Sequence, residues 1–554
     1  MTGTKTYKGF STKETPQSER IPGSKQVQND AGGYSFQIDS WGKLNRFLIL
    51  GSEGGTYYAS EHKLTKENAK NVLKCIEEDG HRVVNTIVEI SDAGRAPKND
   101  PALFALAACA SFGDDATKKA AFRALPQVAR IGTHLFHFAA YVEQFRGWGR
   151  GLREAVGDWY TSKSPKDLAF QAVKYQSRDG WSHYDLLRLS HVALAGEGRE
   201  AVARWITDGM DGFGKKVVKD KNGKIVRKYP AIDKSLLPDI IVGFEKAKTV
   251  EDEDEIVKLI EKYKLTFEMV PTQFHTSAKV YDAILPNLGL TAIIRNLGNM
   301  SKSGYLAKGQ WEAKDLICEK ITNAEALKKA RVHPIALLSA LNTYNSGHSV
   351  RGKGEWEAVP DVCDALEKAF YLSFGYVEPA GKRFILALDV SGSMGVGEIA
   401  GVPGLTPAMA AAAMAMVTYK TEKKTELMAF AHEFRAIDIS RCEKLETVLK
   451  KTDCNNFGGT DCALPMLWAL QKGIQVDAFI VYTDSETWFG SIHPSQAIAK
   501  YRKETGIPAK LIVVGMTAND FTIADPKDSG MMDVVGFDTA APDIMTQFVA
   551  GRGF

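Results

Sequence analysis

"RFILALDVSGSMG", residues 383–395, sets an unbroken apolar run directly before an aspartate and two serines at alternate positions. Apolar residues without alternation are the mark of a strand buried on both faces, and the carboxyl ends of such strands are where open α/β sheets bind ligands. Three similar runs follow: "TELMAFA" (425–431), "DAFIVYTD" (477–484) and "AKLIVVGM" (509–516). Helical stretches such as "PAMAAAAMAMVTYK" (407–420) and "PSQAIAKYRKE" (494–504) separate them. Strand alternating with helix predicts a doubly wound α/β domain over residues 379–554.

Three polar turns fall at the strand ends: "DVSGSM", "GGTDCALP" (458–465) and "YTDSET" (482–487). They supply the hydroxyls of Ser391, Ser393 and Thr460 and the carboxylates of Asp389 and Asp484. All are hard oxygen donors, without the histidine or cysteine that would favour zinc, so a magnesium-like divalent cation is expected. Three hydroxyls can bind such an ion directly while two aspartates hold its waters, which leaves one position open. Catalysis fits less well. The turns contain no His or Lys to activate a serine, "VSGSM" is not a Gly-x-Ser-x-Gly elbow, and no Walker lysine follows the glycines.

Upstream the pattern differs. From about Tyr34 to Tyr376 one amphipathic helix follows another, as in "PALFALAACASF" (101–112), "ATKKAAFRALPQVARIGTHLFHFAAYVEQF" (116–145) and "SPKDLAFQAVKYQ" (164–176). In the last, Ser164 caps and Pro165 takes the first turn; in "SHYDLLRLSHVAL" (182–194) Ser182 and Asp185 form a capping box. So many short helices suit a solenoid of helix pairs over residues 33–378. Residues 1–32, polar and poor in apolar positions, are expected to be a flexible arm.

The chain of 554 residues carries a net charge of +3, with 44% hydrophobic and 25% charged residues, a globular composition. No apolar run is long enough for a membrane span, no signal peptide is evident, and the seven cysteines form no CxxC pair. A reduced, cytoplasmic monomer without a membrane partner is expected. Charge is uneven: residues 141–230 hold 17 Lys/Arg against 11 Asp/Glu, and residues 381–554 hold 17 against 20. The first region can attract a polyanion, although a solvated helical face would give the same excess. Within it, "AVKYQSRDGWSHYDLLRLSH" (172–191) is read as two helices around a turn with an exposed tryptophan. Lys174 and Arg178, four apart, would share a helix face, and Arg188 and His191 would align on the next. Such faces could contact successive phosphates, although His191 taken singly is more often a satisfied structural histidine.

Asp-x-Ser-x-Ser with a distant Thr and a distant Asp resembles the metal-ion-dependent adhesion site of von Willebrand factor A domains. More widely, "LGSEGGTYY", "RDGWSHYDLLRLSH", "GLTAIIRNLGNM", "RVHPIALLSALNTYNSGH", "GGTDCALPM" and "DFTIADP" resemble the Ro 60 kDa autoantigen family of TROVE-domain, Y RNA-binding proteins, here a bacterial member. The resemblance implies an α-helical ring of HEAT-like repeats closed by the A domain, with Y RNA on the outer surface and single-stranded ends of misfolded noncoding RNA at a central hole. Lys174, Arg178 and His191 fall on the family's Y RNA positions. It also implies a non-enzymatic role in RNA quality control, with Y RNA tethering the ring to the exoribonuclease polynucleotide phosphorylase. The alternative is a protein-binding adhesion module that uses the A-domain metal site; a metal-dependent hydrolase is a weaker third. The basic, turn-rich segment 213–230 reads as a surface insertion.

Overall fold

The change of pattern near residue 380 is a change of architecture. The computed structural model describes residues 14–51, 59–219, 225–307, 309–350, 353–452 and 458–552. Most of "LGSEGGTYY" and part of the 213–230 segment therefore lie outside the described residues. Among those described, 17 α-helices run from Ser40 to Leu372. Their starts are set locally: Asp39, Asp114 and Ser164 each accept a backbone N–H of the first turn, and Ser182 with Asp185 forms the expected capping box. The 116–145 stretch is two helices, Asp115–Val128 and Gly132–Arg146. Ala129 leaves the helical region between them, and Gly132 passes so close to His183 that a Cβ would lie 2.9 Å from its Nε2.

The helices bury one continuous apolar core, in which Phe136, Phe138, Trp159 and Tyr160 are fully enclosed. The first and last parts of the helical region touch. Arg331 donates to the carbonyl and the carboxylate of Asp92, both at 2.6 Å, and His333 Nε2 lies 3.1 Å from the carbonyl oxygen of Arg95.

Residues 383–550 form the α/β domain. Its six-stranded sheet has the spatial order Met531–Val535, Lys510–Gly515, Ala478–Thr483, Arg383–Asp389, Lys424–Phe430, Phe434–Ala436. All neighbours are parallel except the last pair. Phe384, Leu386 and Leu388 face the core shared with the helical region, whereas Ile385 and Ala387 face a second core under the Pro494–Thr505 helix. Both faces are dry, which is why the strand reads as a continuous apolar run. The chain passes from Arg383–Asp389 outward to one side and returns at Ala478–Thr483 to build the other. Asp389 and Asp484 thus stand at the topological switch point.

Arg46, 1% exposed, ties the two parts together. Its guanidinium donates to the carbonyls of Asn519 and Phe521 and to both carboxylate oxygens of Asp533 at 2.8 and 3.0 Å. Arg95 makes a second bidentate clamp on Asp538.

The expected flexible arm is corrected for its described part. Residues 14–32 pack on the α/β domain, with Gln17, Ile21, Gln26 and Asn29 buried. Val27–Gln28 pairs with Tyr34–Gln37, which in turn pairs with Phe521–Thr522. Composition misjudged this segment because its ordering rests on hydrogen bonds to distant polar partners and hardly on apolar burial.

Candidate functional site

The strand Arg383–Asp389 ends by pushing a fully buried aspartate into the switch point. Asp389 Oδ1 accepts the N–H of Ser391 at 2.9 Å, turning the chain sharply, and Oδ2 accepts the hydroxyl of Thr483 at 2.6 Å. The turn Gly392–Gly395 then brings Ser393 Oγ to 3.1 Å from Ser391 Oγ. Asp484 repeats the device: its Oδ1 accepts the N–H of Glu486 at 3.0 Å, and the nearby Ser393 hydroxyl favours its charged form. Asp389, Ser391 and Ser393 are thereby one bonded group, with Asp484 beside it. Thr460 is held from the other side, its carbonyl accepting the Thr487 hydroxyl at 3.0 Å and the N–H groups of Trp488 and Phe489 at 3.2 and 3.1 Å.

This arrangement concentrates negative charge. Burial, followed by the neighbouring Asp484, pushes the Asp389 carboxyl up to about 7. Burial also raises Asp484, and with Asp484 close by it lifts Glu486 to about 8. Among the described residues, neither Asp389 nor Asp484 has a Lys or Arg among its hydrogen-bond or ion-pair partners. Two buried carboxylates with the hydroxyls of Ser391 and Ser393, all oxygen and without a paired Lys or Arg among the described residues, have the donor chemistry of a hard divalent cation site, which Thr460 would complete.

Several supporting residues had no signal in the sequence. The Gln17 side-chain amide donates to Asp461 at 2.6 Å and to the carbonyl of Ile492 at 2.8 Å, and its oxygen accepts the Thr487 hydroxyl. Asn519 donates to the carbonyl of Asp484 at 2.6 Å and to Glu486 at 3.1 Å. Ala31 N–H donates to Glu486, and Ser35 to the carbonyl of Ser485. The N-terminal segment therefore braces two of the three strand-end loops.

The basic segment differs from expectation. Its first helix ends at Lys174, capped by Tyr175, and Arg178 lies in a two-stranded hairpin, Ser177–Arg178 against Trp181–Ser182. Asp179 and Gly180, with φ of 53° and 77°, make the two-residue turn. Asp-Gly is a strong hairpin signal that a helical reading passed over. Lys174 and Arg178 thus share no helix face. The next helix stops at Ser190, so Arg188 is helical while His191 is the left-handed cap. Trp181 is buried, stacked on Trp148 at 5.4 Å, and is not an exposed aromatic.

Individually the three residues stand differently. The Lys174 side chain is 16% exposed, with Glu268 at 3.6 Å. That of Arg178 is 63% exposed, with Asp179 at 3.8 Å. His191 is exposed and lines a cleft of about 360 Å³ with Arg150 and Arg153. The buried histidine of this segment is His183, whose Nδ1 lies 2.7 Å from the Tyr160 hydroxyl.

A helical repeat region bonded to an A-type α/β domain defines the class. The TROVE domain family matches residues 27–347, and the Ro60 vWA domain family matches residues 383–549. The chain belongs to the Ro60 family, a non-catalytic one. It is 43% identical to the RNA-binding protein RO60 of Deinococcus radiodurans, over 97% of each chain. With the RNA-binding protein RO60 of Caenorhabditis elegans it shares 35% identity over 95% of this chain and 90% of the relative. The crystal structure of the Deinococcus radiodurans RO (RSR) protein superposes with a TM-score of 0.68, at 43% identity, covering 93% of this chain and 100% of that one. No helix among the described residues is long and apolar enough to cross a membrane.

Proposed function

We propose that this protein binds RNA without cutting it, taking small noncoding Y RNA on the basic surface around residues 174–191 and single-stranded ends of misfolded noncoding RNA at a central hole of the helical region. The observation that carries the reading is the exposure of Arg178 on a hairpin and of His191 at a helix end, in a chain 43% identical over 97% of its length to an RNA-binding protein. Arg178 leaves the hairpin where its guanidinium can take a phosphate bidentately, and His191 can reach a phosphate or a base edge from the end of its helix. Lys174, partly covered by Glu268, adds long-range attraction more than direct contact. Binding of this kind is dominated by phosphate and weakens as salt rises.

A divalent cation, magnesium by its oxygen donors, would be held by Ser391, Ser393, Thr460, Asp389 and Asp484. It would offset the buried carboxylate charge and present an open position to an anionic ligand. Bound Y RNA would tether the protein to an exoribonuclease such as polynucleotide phosphorylase, which supplies the cutting. The deciding experiment is a gel shift with Y RNA. Lys174→Ala with Arg178→Ala is expected to lower affinity at least about tenfold and to flatten the salt dependence. Unchanged affinity in the folded double variant would overturn the placement of the RNA surface.

A further inference from the structure

The carboxylate of Asp179 stands between two partners and is shared unequally. Its Oδ2 lies against Nδ1 of His137, whereas its Oδ1 stays 3.8 Å from Nε of Arg178, beyond hydrogen-bond reach. A carboxylate only accepts, so this contact puts an imidazole hydrogen on Nδ1. The ring is fixed from its other side as well, because Nε2 faces Asp100, the first residue of the helix Asp100–Phe112, at 3.6 Å. The His137 side chain is 13% exposed and that of Arg178 63%. The acid therefore turns inward, while the guanidinium next to it in sequence turns out. The backbone that carries both is held elsewhere. A hairpin this short does not stand alone. Arg178 pairs with Trp181, the Trp181 ring stacks on Trp148, and the Trp148 indole N–H donates to the carbonyl of Leu189 at 3.1 Å. Ser182, which ends the hairpin, belongs to the capping box with Asp185. None of these contacts uses His137 or the Asp179 carboxylate.

Charge gives the arrangement its consequence. Arginine takes carboxylate and phosphate in the same forked geometry, so an acid beside it in sequence is a competitor for the phosphate it would bind. A loose Asp179 carboxylate would close on Arg178, neutralise it and repel an incoming phosphate. Among the described residues, no basic side chain other than His137 and Arg178 pairs with Asp179. We propose that His137 is a positioning residue of the RNA surface: it sequesters the Asp179 carboxylate and so leaves the Arg178 guanidinium free for a phosphate. This rests on the reading of Arg178 as an RNA contact. His137, nearly covered, acts through Asp179 and makes no contact with RNA itself. The hairpin turn needs a residue that accepts a left-handed φ ahead of Gly180, which aspartate does, and His137 removes the electrostatic cost of that choice.

The test is a gel shift with Y RNA on the full-length protein at low ionic strength, with the thermal midpoint of each variant measured alongside. His137→Ala releases the Asp179 carboxylate and is expected to lower affinity about fivefold. Asp179→Asn keeps the turn and removes the charge, so His137→Ala with Asp179→Asn should return affinity to within about twofold of the parent. His137→Asn, whose amide can replace the Nδ1 hydrogen, should also stay within about twofold. In an Arg178→Ala background, His137→Ala should add nothing. A loss in His137→Ala that Asp179→Asn does not restore would overturn the sequestration, because a misplaced hairpin is not mended by removing a charge. Unchanged affinity in folded His137→Ala, with Arg178→Ala binding poorly, would overturn it too and leave the RNA contact standing. Unchanged affinity in Arg178→Ala would instead remove Arg178 from the RNA surface, and the role of His137 with it.

Discussion

The Gln17 amide nitrogen lies 2.6 Å from the Asp461 carboxylate across 444 positions of sequence. Gln17 is fully buried, and the same side chain also meets Thr487 and the carbonyl of Ile492. One residue of an outwardly polar segment thus joins the loops on which Thr460 and Asp484 sit. Gln17→Ala removes one of two donors from the buried Asp461 carboxylate, which keeps the Ala463 N–H, and the amide donor from the carbonyl of Ile492, and is expected to cost about 1–3 kcal/mol. Thermal or urea unfolding of the variant measures this. A loss below experimental error would show that the segment is held by its backbone bonds alone.

Arg46 is the most deeply buried cation at the seam of the two parts. Removing its guanidinium strands Asp533 and two carbonyls at the seam of the two parts, so Arg46→Ala should destabilise by about 3–5 kcal/mol. Arg46→Lys should recover little, because an ammonium cannot reproduce the planar fork. Equilibrium unfolding of both variants, followed by near-ultraviolet circular dichroism, checks the ranking.

His333 sets a pH dependence with a definite sign. Its pKa is pushed down from 6.5 to about 4 by burial, so the unfolded chain takes up its proton at a pH where the folded chain does not. Its stabilising contribution is intact above 6.5 and falls by up to about 1.4 kcal/mol per pH unit between 6.5 and 4. His333→Asn keeps an acceptor for the Ile335 N–H at the helix start and removes the titration. The stability difference between the parent and this variant should therefore shrink or reverse on acidification. A difference that stays constant from pH 8 to pH 5 would contradict the assignment.

His191 allows the side chain to be separated from the backbone. Its φ of 53° is a left-handed cap that glycine adopts freely, so His191→Gly should keep stability within about 1 kcal/mol while lowering Y RNA affinity. Equal RNA affinity would remove the imidazole from the RNA surface.

Magnesium should stabilise the α/β domain through the carboxylates at its switch point. At a hundredfold excess over the dissociation constant the gain is about 2.7 kcal/mol. It should appear as a rise in the thermal midpoint that chelator reverses and that Asp389→Ala lacks. The same rise in that variant would place the ion elsewhere.

The α/β domain was legible because both faces of its strands are buried: apolar runs over Arg383–Asp389 and Ala478–Thr483 have no other ready explanation. Helix starts at Ser164 and Ser182 were legible because capping is a contact of three residues' reach. The hairpin at Asp179–Gly180 was written in the sequence too, but the surrounding helical periodicity masked it. By itself, then, the sequence determined the two architectures, their order and the residue types at the strand ends, since periodicity, capping and turn chemistry act within a few residues. Only the tertiary structure decided that residues 14–32 brace the loops of the candidate metal site and that Arg46 joins the two parts. Those outcomes depend on hydrogen bonds that span more than 400 positions, which leave no local trace in composition or spacing.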